Sequence, residues 1–134
     1  MEIITKDFIK ERTYWDIAEN AFDDAMFGLE NSRFRMAGMF FHKFAEMGAK
    51  ALLGKTDPQH NMMSSRAVGL ILLAYDPEGY AANELADRAG YLTSLFFNTQ
   101  APGIGYIECT QEHAKVAHDA AVFLRKYYEG ELAK

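Results

Sequence analysis

Apolar residues recur at steps of three and four along most of the chain, and this spacing predicts five helices. The first runs from Asp7 or Thr13 to Leu29. Tyr14, Ile17, Ala18, Ala21, Phe22, Ala25 and Leu29 fall on one face, with Asp16, Glu19, Asp23 and Asp24 towards the other. The second is predicted from Ser32 to Leu53, with Asn31 as cap and Gly54 as stop. A third spans about Asn61 to Ala74, with Met63, Ala67, Leu70, Ile71 and Ala74 inward. Asp76-Pro-Glu-Gly79 is a break, or alternatively Asp76 caps the next helix with Pro77 in its first turn. The fourth helix covers about Tyr80 to Phe97 and buries Leu85, Ala86, Ala89, Leu92 and Phe96. After the loop Ala101-Pro-Gly-Ile-Gly105, Thr110 caps a fifth helix that ends near Glu129 with Gly130 as stop. Its inner face is Ala117, Ala120, Ala121, Leu124 and Tyr128.

The second stretch differs from the others. Phe34, Ala37, Gly38, Phe41, Ala45, Gly48, Ala49 and Leu52 form one apolar face, and Met36, Phe40, Phe44, Met47 and Ala51 widen it. A helix apolar over so much of its circumference is expected to be buried on several sides. Gly38 and Gly48 weaken it as a helix, and close approach of a neighbour is the expected compensation.

Composition narrows the class. Scarce valine and plentiful Ala, Met, Leu and Glu favour helix over strand, and 134 residues fit one domain, residues 1–134. The expectation is an all-α, up-and-down bundle of four to five helices. No apolar run approaches the roughly 20 residues that cross a bilayer, and the N-terminus lacks a signal-peptide pattern. A cytoplasmic protein with no membrane association is expected. Cys109 is the only cysteine, which excludes an intrachain disulfide and a cysteine-based zinc site. Charge is uneven. Residues 31–56 carry Arg33, Arg35, Lys43, Lys50 and Lys55 against Glu46 alone, a net of +4, whereas the remainder carries −9 and the whole chain −5. That balance is too acidic for a broad nucleic-acid footprint. It leaves room for a local phosphate-binding patch, or for a basic helix packed beside an acidic one, the latter favoured.

The string from Ala37 to Leu53, Ala-Gly-Met-Phe-Phe-His-Lys-Phe-Ala-Glu-Met-Gly-Ala-Lys-Ala-Leu-Leu, resembles the second helix of HEPN domains. Ala45, Glu46, Lys50, Ala51, Leu52 and Leu53 fit that pattern, and Met47 departs from it. His60 lies where the family often has a histidine before its third helix. Tyr91–Phe97 resembles the helix before the family's Thr-Arg-Tyr-Pro motif, and Ala114, Ala117, Ala120 and Ala121 resemble its last helix. At the motif itself this chain reads Thr99-Gln-Ala-Pro102, without the Arg and Tyr. The resemblance implies a four- to five-helix bundle that often forms dimers. It also implies a role around nucleotides or RNA. Relatives include ribonucleases of toxin–antitoxin or defence systems, partners of minimal nucleotidyltransferases, and non-catalytic binding modules.

The family's ribonucleases pair an arginine with a histidine four to six residues later near the last helix. The cation stabilises the transition-state charge and the imidazole moves the proton. His113 and His118 have no such arginine, and Gln100 at the expected position carries no charge. The standard nuclease site is therefore degenerate. Arg35 and His42 do have the spacing, but on the second helix. At 100° per residue Arg35, His42, Glu46 and Lys50 fall on one stripe. Such a stripe binds phosphate or moves a proton, or it is a polar seam satisfied by the acids of the first helix or a partner subunit. The seam is the favoured reading. No metal or cofactor is expected: Glu-x-x-His is absent, His42-x3-Glu46 and His113-x4-His118 are poor substitutes, and no phosphate-cradling glycine loop is present.

The sequence thus leads to a HEPN-like module that binds a nucleotide, RNA or a protein partner such as a minimal nucleotidyltransferase, in a toxin–antitoxin or defence-type setting. Whether it is an enzyme stays open. The alternatives are a ribonuclease using Arg35 and His42, and a purely structural, dimeric interaction protein. A homodimer is expected to pair exposed parts of the second and fifth helices, with Tyr127 and Tyr128 at the interface.

Overall fold

In a computed structural model, residues 13–100, 103 and 105–134 are described. The alternative helix start at Asp7 lies outside these residues, as do Ala101, Pro102 and Ile104 of the loop. The described chain is all-helical, with six α-helices and one 3-10 turn: α1 (Tyr14–Glu30), α2 (Phe34–Thr56), the turn Asn61–Ser64, α3 (Val68–Tyr75), α4 (Pro77–Ala82), α5 (Leu85–Asn98) and α6 (Gln111–Leu132). Among the described residues no helix is long and apolar enough to cross a membrane.

The centre is α2. It packs against α1, the 3-10 turn, α3, α5 and α6, and twelve of its 23 residues are buried. Its breadth of apolar positions has this cause: several neighbours need a dry face at once. α1 lays Ala18, Ala21 and Ala25 against it, and these small side chains let the two helices approach closely. Between them Phe22 meets Phe41 and Phe44 edge-on at 5.6 and 5.2 Å. From the other side α6 contributes Ala117, Ala120, Ala121, Leu124 and Tyr128, all buried. The Tyr128 ring lies over Gly48, where a Cβ would collide with it, and its hydroxyl donates to the Ala45 carbonyl at 2.7 Å. The close approach expected at Gly48 is thus made by an aromatic ring.

Several boundaries differ from the sequence expectations, each for a local reason. Thr13, one of the two expected starts, caps α1, its hydroxyl accepting from Asp16 N at 3.2 Å. Asn31, however, closes α1 instead of opening α2, its side-chain amide donating to the Phe27 carbonyl. Ser32 then takes a left-handed turn (φ 58°) and α2 begins at Phe34. Gly54 does not end α2, which continues to Thr56, where the Thr56 hydroxyl donates to the Leu53 carbonyl. Likewise α6 passes through Gly130 to Leu132. Lys55 donates to the carbonyls of Glu131, Leu132 and Lys134, giving the end of α6 the partners its last turn lacks.

The predicted third helix is two pieces. His60 Nδ1 accepts from Met62 N and starts the 3-10 turn, Ser65 Oγ accepts from Ala67 N, and the α-helix begins only at Val68. α3 buries Val68, Ile71 and Leu72 and leaves Leu70 and Leu73 exposed. The inward role expected of Leu70 is therefore corrected. Val68–Tyr75 is apolar on every side, so periodicity cannot show which face is inner. The predicted fourth helix also divides. Asp76 precedes α4 with Pro77 in its first turn, and Glu84 adopts a left-handed conformation (φ 55°) before α5. That kink points Leu85 inward and leaves Ala86 exposed.

Candidate functional site

Of the stripe Arg35, His42, Glu46 and Lys50, the structure brings the last three together and separates the first. Arg35 sits two turns nearer the start of α2, about 10 Å along the axis from His42. Its guanidinium donates to the carbonyls of Thr99 and Gln100 at 2.8 and 2.6 Å. Those carbonyls end α5, so Arg35 ties the α5 C-terminus to α2.

His42, Glu46 and Lys50 are all buried on α2, at 1%, 6% and 7% exposure. Lys50 Nζ and the Glu46 carboxylate pair at 2.7 Å. A charge in so dry a place needs its counter-charge, and one helical turn of separation provides it. The His42 ring stacks on Phe96 at 4.2 Å with planes 10° apart, and Nε2 lies 2.9 Å from the Arg66 carbonyl. A carbonyl only accepts, so Nε2 carries the hydrogen. Burial holds the His42 pKa below its ordinary 6.5, outweighing the Arg66 carbonyl and the Glu46 charge, which act the other way. The imidazole is neutral near pH 7.

Beside this row lies a cavity of about 370 Å³ between α2 and α5. Met39, Phe40 and Met47 give it apolar wall, while His42, Lys43, Glu46, Arg66 and Gln100 give it polar wall. Lys43 and Arg66 are exposed, so each carries its charge at the mouth with water around it. The Arg66 guanidinium lies over the outer side of the stack, 5.8 Å from the Phe96 ring centre. Gln100 turns its amide back to the Phe96 carbonyl at 3.1 Å. The cavity thus collects two exposed cations, one buried carboxylate and one neutral imidazole against aromatic and thioether surface. Lys43 precedes no obvious motif and Arg66 lies on an irregular connection whose path no periodicity predicts.

The basic segment and the acidic α1 do lie side by side, but among the described residues no ion pair crosses between them. Lys50 pairs within its own helix, and Arg35 and Lys55 bind backbone carbonyls. The histidines of α6 are engaged locally. His113 Nδ1 accepts from Thr110 N and completes the helix cap. His118 lies against the edge of Phe41 and near Asp119. Neither lines the cavity. Among the described residues no three His, Cys, Asp or Glu side chains cluster as a metal site would require. Tyr128, expected at a subunit interface, is wholly inside its own chain, and Tyr127 is half-buried with its hydroxyl enclosed and unpartnered.

Comparison of the chain with protein-family models, with curated proteins and with solved structures finds no match.

Proposed function

We propose that this chain is a HEPN-like helical module that binds a phosphate-bearing nucleobase ligand, a nucleotide or a nucleotide unit of RNA, in the cavity between α2 and α5. The observation that carries this reading is the pairing of two exposed cations, Lys43 and Arg66, with an apolar wall of Phe40 and Met47 around about 370 Å³. That volume lies in the range of small-molecule sites. Phosphate answers the cations, a flat base answers the aromatic and thioether wall, and Glu46 accepts a base N–H. The family resemblance of α2 adds its own support, and with it the toxin–antitoxin or defence setting and a nucleotidyltransferase-type partner.

In this reading the module binds and does not cleave RNA in the manner of standard HEPN ribonucleases. Gln100 brings no positive charge to a transition state, and Arg35 is held by two carbonyls. His42 is occupied in a stack and a backbone hydrogen bond. The test is a calorimetric titration of adenosine 5′-monophosphate and a short single-stranded RNA into the wild type, Lys43→Ala and Arg66→Ala. Binding that weakens about tenfold in each variant and falls with added salt supports the site. Binding of equal strength in all three proteins removes it.

A further inference from the structure

The cavity between α2 and α5 changes polarity along its depth. Lys43 and Arg66 stand exposed at the mouth and bring N–H donors and positive charge. Glu46 and His42, at 6% and 1% exposure, form the inner polar wall. Each keeps one acceptor atom that no protein group uses. Lys50 Nζ takes Glu46 Oε2 at 2.7 Å and leaves Oε1. His42 gives its one hydrogen, on Nε2, to the Arg66 carbonyl, so Nδ1 carries a bare lone pair. Among the described residues, the Tyr127 hydroxyl is the only sealed side-chain nitrogen or oxygen without a partner. Glu46 Oε1 and His42 Nδ1 are therefore not sealed, and the opening that both residues share is the cavity they line.

A ligand that suits this wall brings donors inward and negative charge outward. The four RNA bases answer that demand differently. Adenine and cytosine each set an amino group beside a ring-nitrogen lone pair, which would face the lone pairs of Glu46 and His42. Uracil sets its one N–H between two carbonyl oxygens, with the same conflict. Guanine alone sets two donor groups side by side, N1–H and the N2 amino group. An ionised carboxylate only accepts, and its Oε1 has lone pairs for both. Lys50 supplies the counter-charge from the other oxygen, so a neutral base can cover Glu46 without leaving a bare buried charge. Gln100 commits its amide nitrogen to the Phe96 carbonyl.

We infer that the cavity selects guanine: it takes a guanosine 5′-phosphate unit whose N1–H and N2 amino group donate to Glu46 Oε1 and His42 Nδ1, with the phosphate at Lys43 and Arg66. The inference rests on the nucleotide-binding reading above and adds the identity of the base. Two sets of contacts divide the work. The cations and the apolar wall of Phe40 and Met47 serve any nucleotide and set the affinity. The inner acceptors distinguish one base from another, because reading a base edge depends on matching donors to acceptors. Adenosine 5′-monophosphate keeps the shared contacts and binds in the same place, more weakly.

Calorimetric titration of the wild type at pH 7 tests this with the 5′-monophosphates of guanosine, inosine and adenosine. Two RNA pentamers of uridine, carrying one central guanine or adenine, complete the series. Guanosine monophosphate should bind about tenfold or more tightly than adenosine monophosphate, the effect of a hydrogen bond to a charged group. Inosine monophosphate, which lacks only the N2 amino group, should fall between them. The guanine pentamer should exceed the adenine pentamer in the same sense. Whichever guanine ligand binds more tightly identifies free nucleotide or RNA as the source. Glu46→Gln keeps an amide oxygen for Lys50 and sets an N–H₂ donor beside it, so it should abolish the preference for guanine while helical circular dichroism is retained. The ligand series needs no variant and stands even where Glu46→Gln unfolds. Equal binding of guanosine and adenosine monophosphates by the wild type, both weakened in Lys43→Ala, overturns the guanine inference and leaves the nucleotide site. A folded Glu46→Gln that keeps the preference overturns it as well. A wild type that binds none of the ligands removes the site itself, and the inference with it.

Discussion

Replacing Gly48 with alanine drives a methyl group into the ring of Tyr128. The new Cβ would sit against Cδ2 and Cε2, far inside van der Waals separation. The ring has little freedom to yield. It is 0% exposed, its hydroxyl is tied to the Ala45 carbonyl, and Trp15 and Phe44 lie at 6.3 and 5.8 Å. Alanine would gain about 1 kcal/mol in helix propensity. Overpacking costs about 1–3 kcal/mol, and a displaced, buried hydroxyl adds about 1–3 kcal/mol. The net is a loss of about 3 kcal/mol, which for a domain of this size lowers Tm by about 10 °C. Urea and thermal unfolding followed by circular dichroism would read this, with an unchanged denaturant slope showing that only stability moved. Gly130→Ala is the matched control. It is also helical, but a Cβ there meets nothing within 4 Å, so it should stabilise by about 0.5–1 kcal/mol. A Gly48→Ala protein as stable as wild type would refute the packing assigned to Tyr128.

Removing one member of the buried ion pair is expected to be severe: Glu46→Ala strands Lys50 at 7% exposure and should cost about 3–5 kcal/mol in urea unfolding, whereas a loss below about 1 kcal/mol would mean the pair is hydrated in solution. Acid should weaken the fold through His42. Its folded pKa lies below the unfolded 6.5, so the unfolded chain binds the extra proton first, and this stabilisation is complete above pH 6.5 and lost as pH falls below it. His42→Gln should flatten the stability profile just below pH 6.5, and an unaltered profile would show that the imidazole is not held neutral by burial.

How much of this was legible in the sequence depended on how one-sided each helix is. α1 and α6 carry clean stripes, and Ala18, Ala21, Ala25, Ala117, Ala121 and Leu124 are buried where spacing put them. α3 has no polar side, so its inner face was set by neighbours, and Leu70 came out exposed. Helix ends were less legible than helix existence. Gly54 and Gly130 are common stop signals, but Lys55 and the Thr56 hydroxyl stabilise the turns beyond them. On the site, helical geometry put His42, Glu46 and Lys50 in one row, as found. It also put Arg35 there, because angular position ignores the pull of the Thr99 and Gln100 carbonyls. Arg66 and Lys43 became visible only once the connection before α3 was folded against α5.

The most direct test of the proposed binding site is an amide chemical-shift titration of the nitrogen-15-labelled chain with adenosine 5′-monophosphate at pH 7. The account predicts saturable shifts concentrated at Lys43, Met47, Arg66 and Gln100, which border the cavity, and little change at Val116 or Val122 on the exposed side of α6. Saturable shifts centred on any other part of the bundle, or none at millimolar ligand, would contradict it.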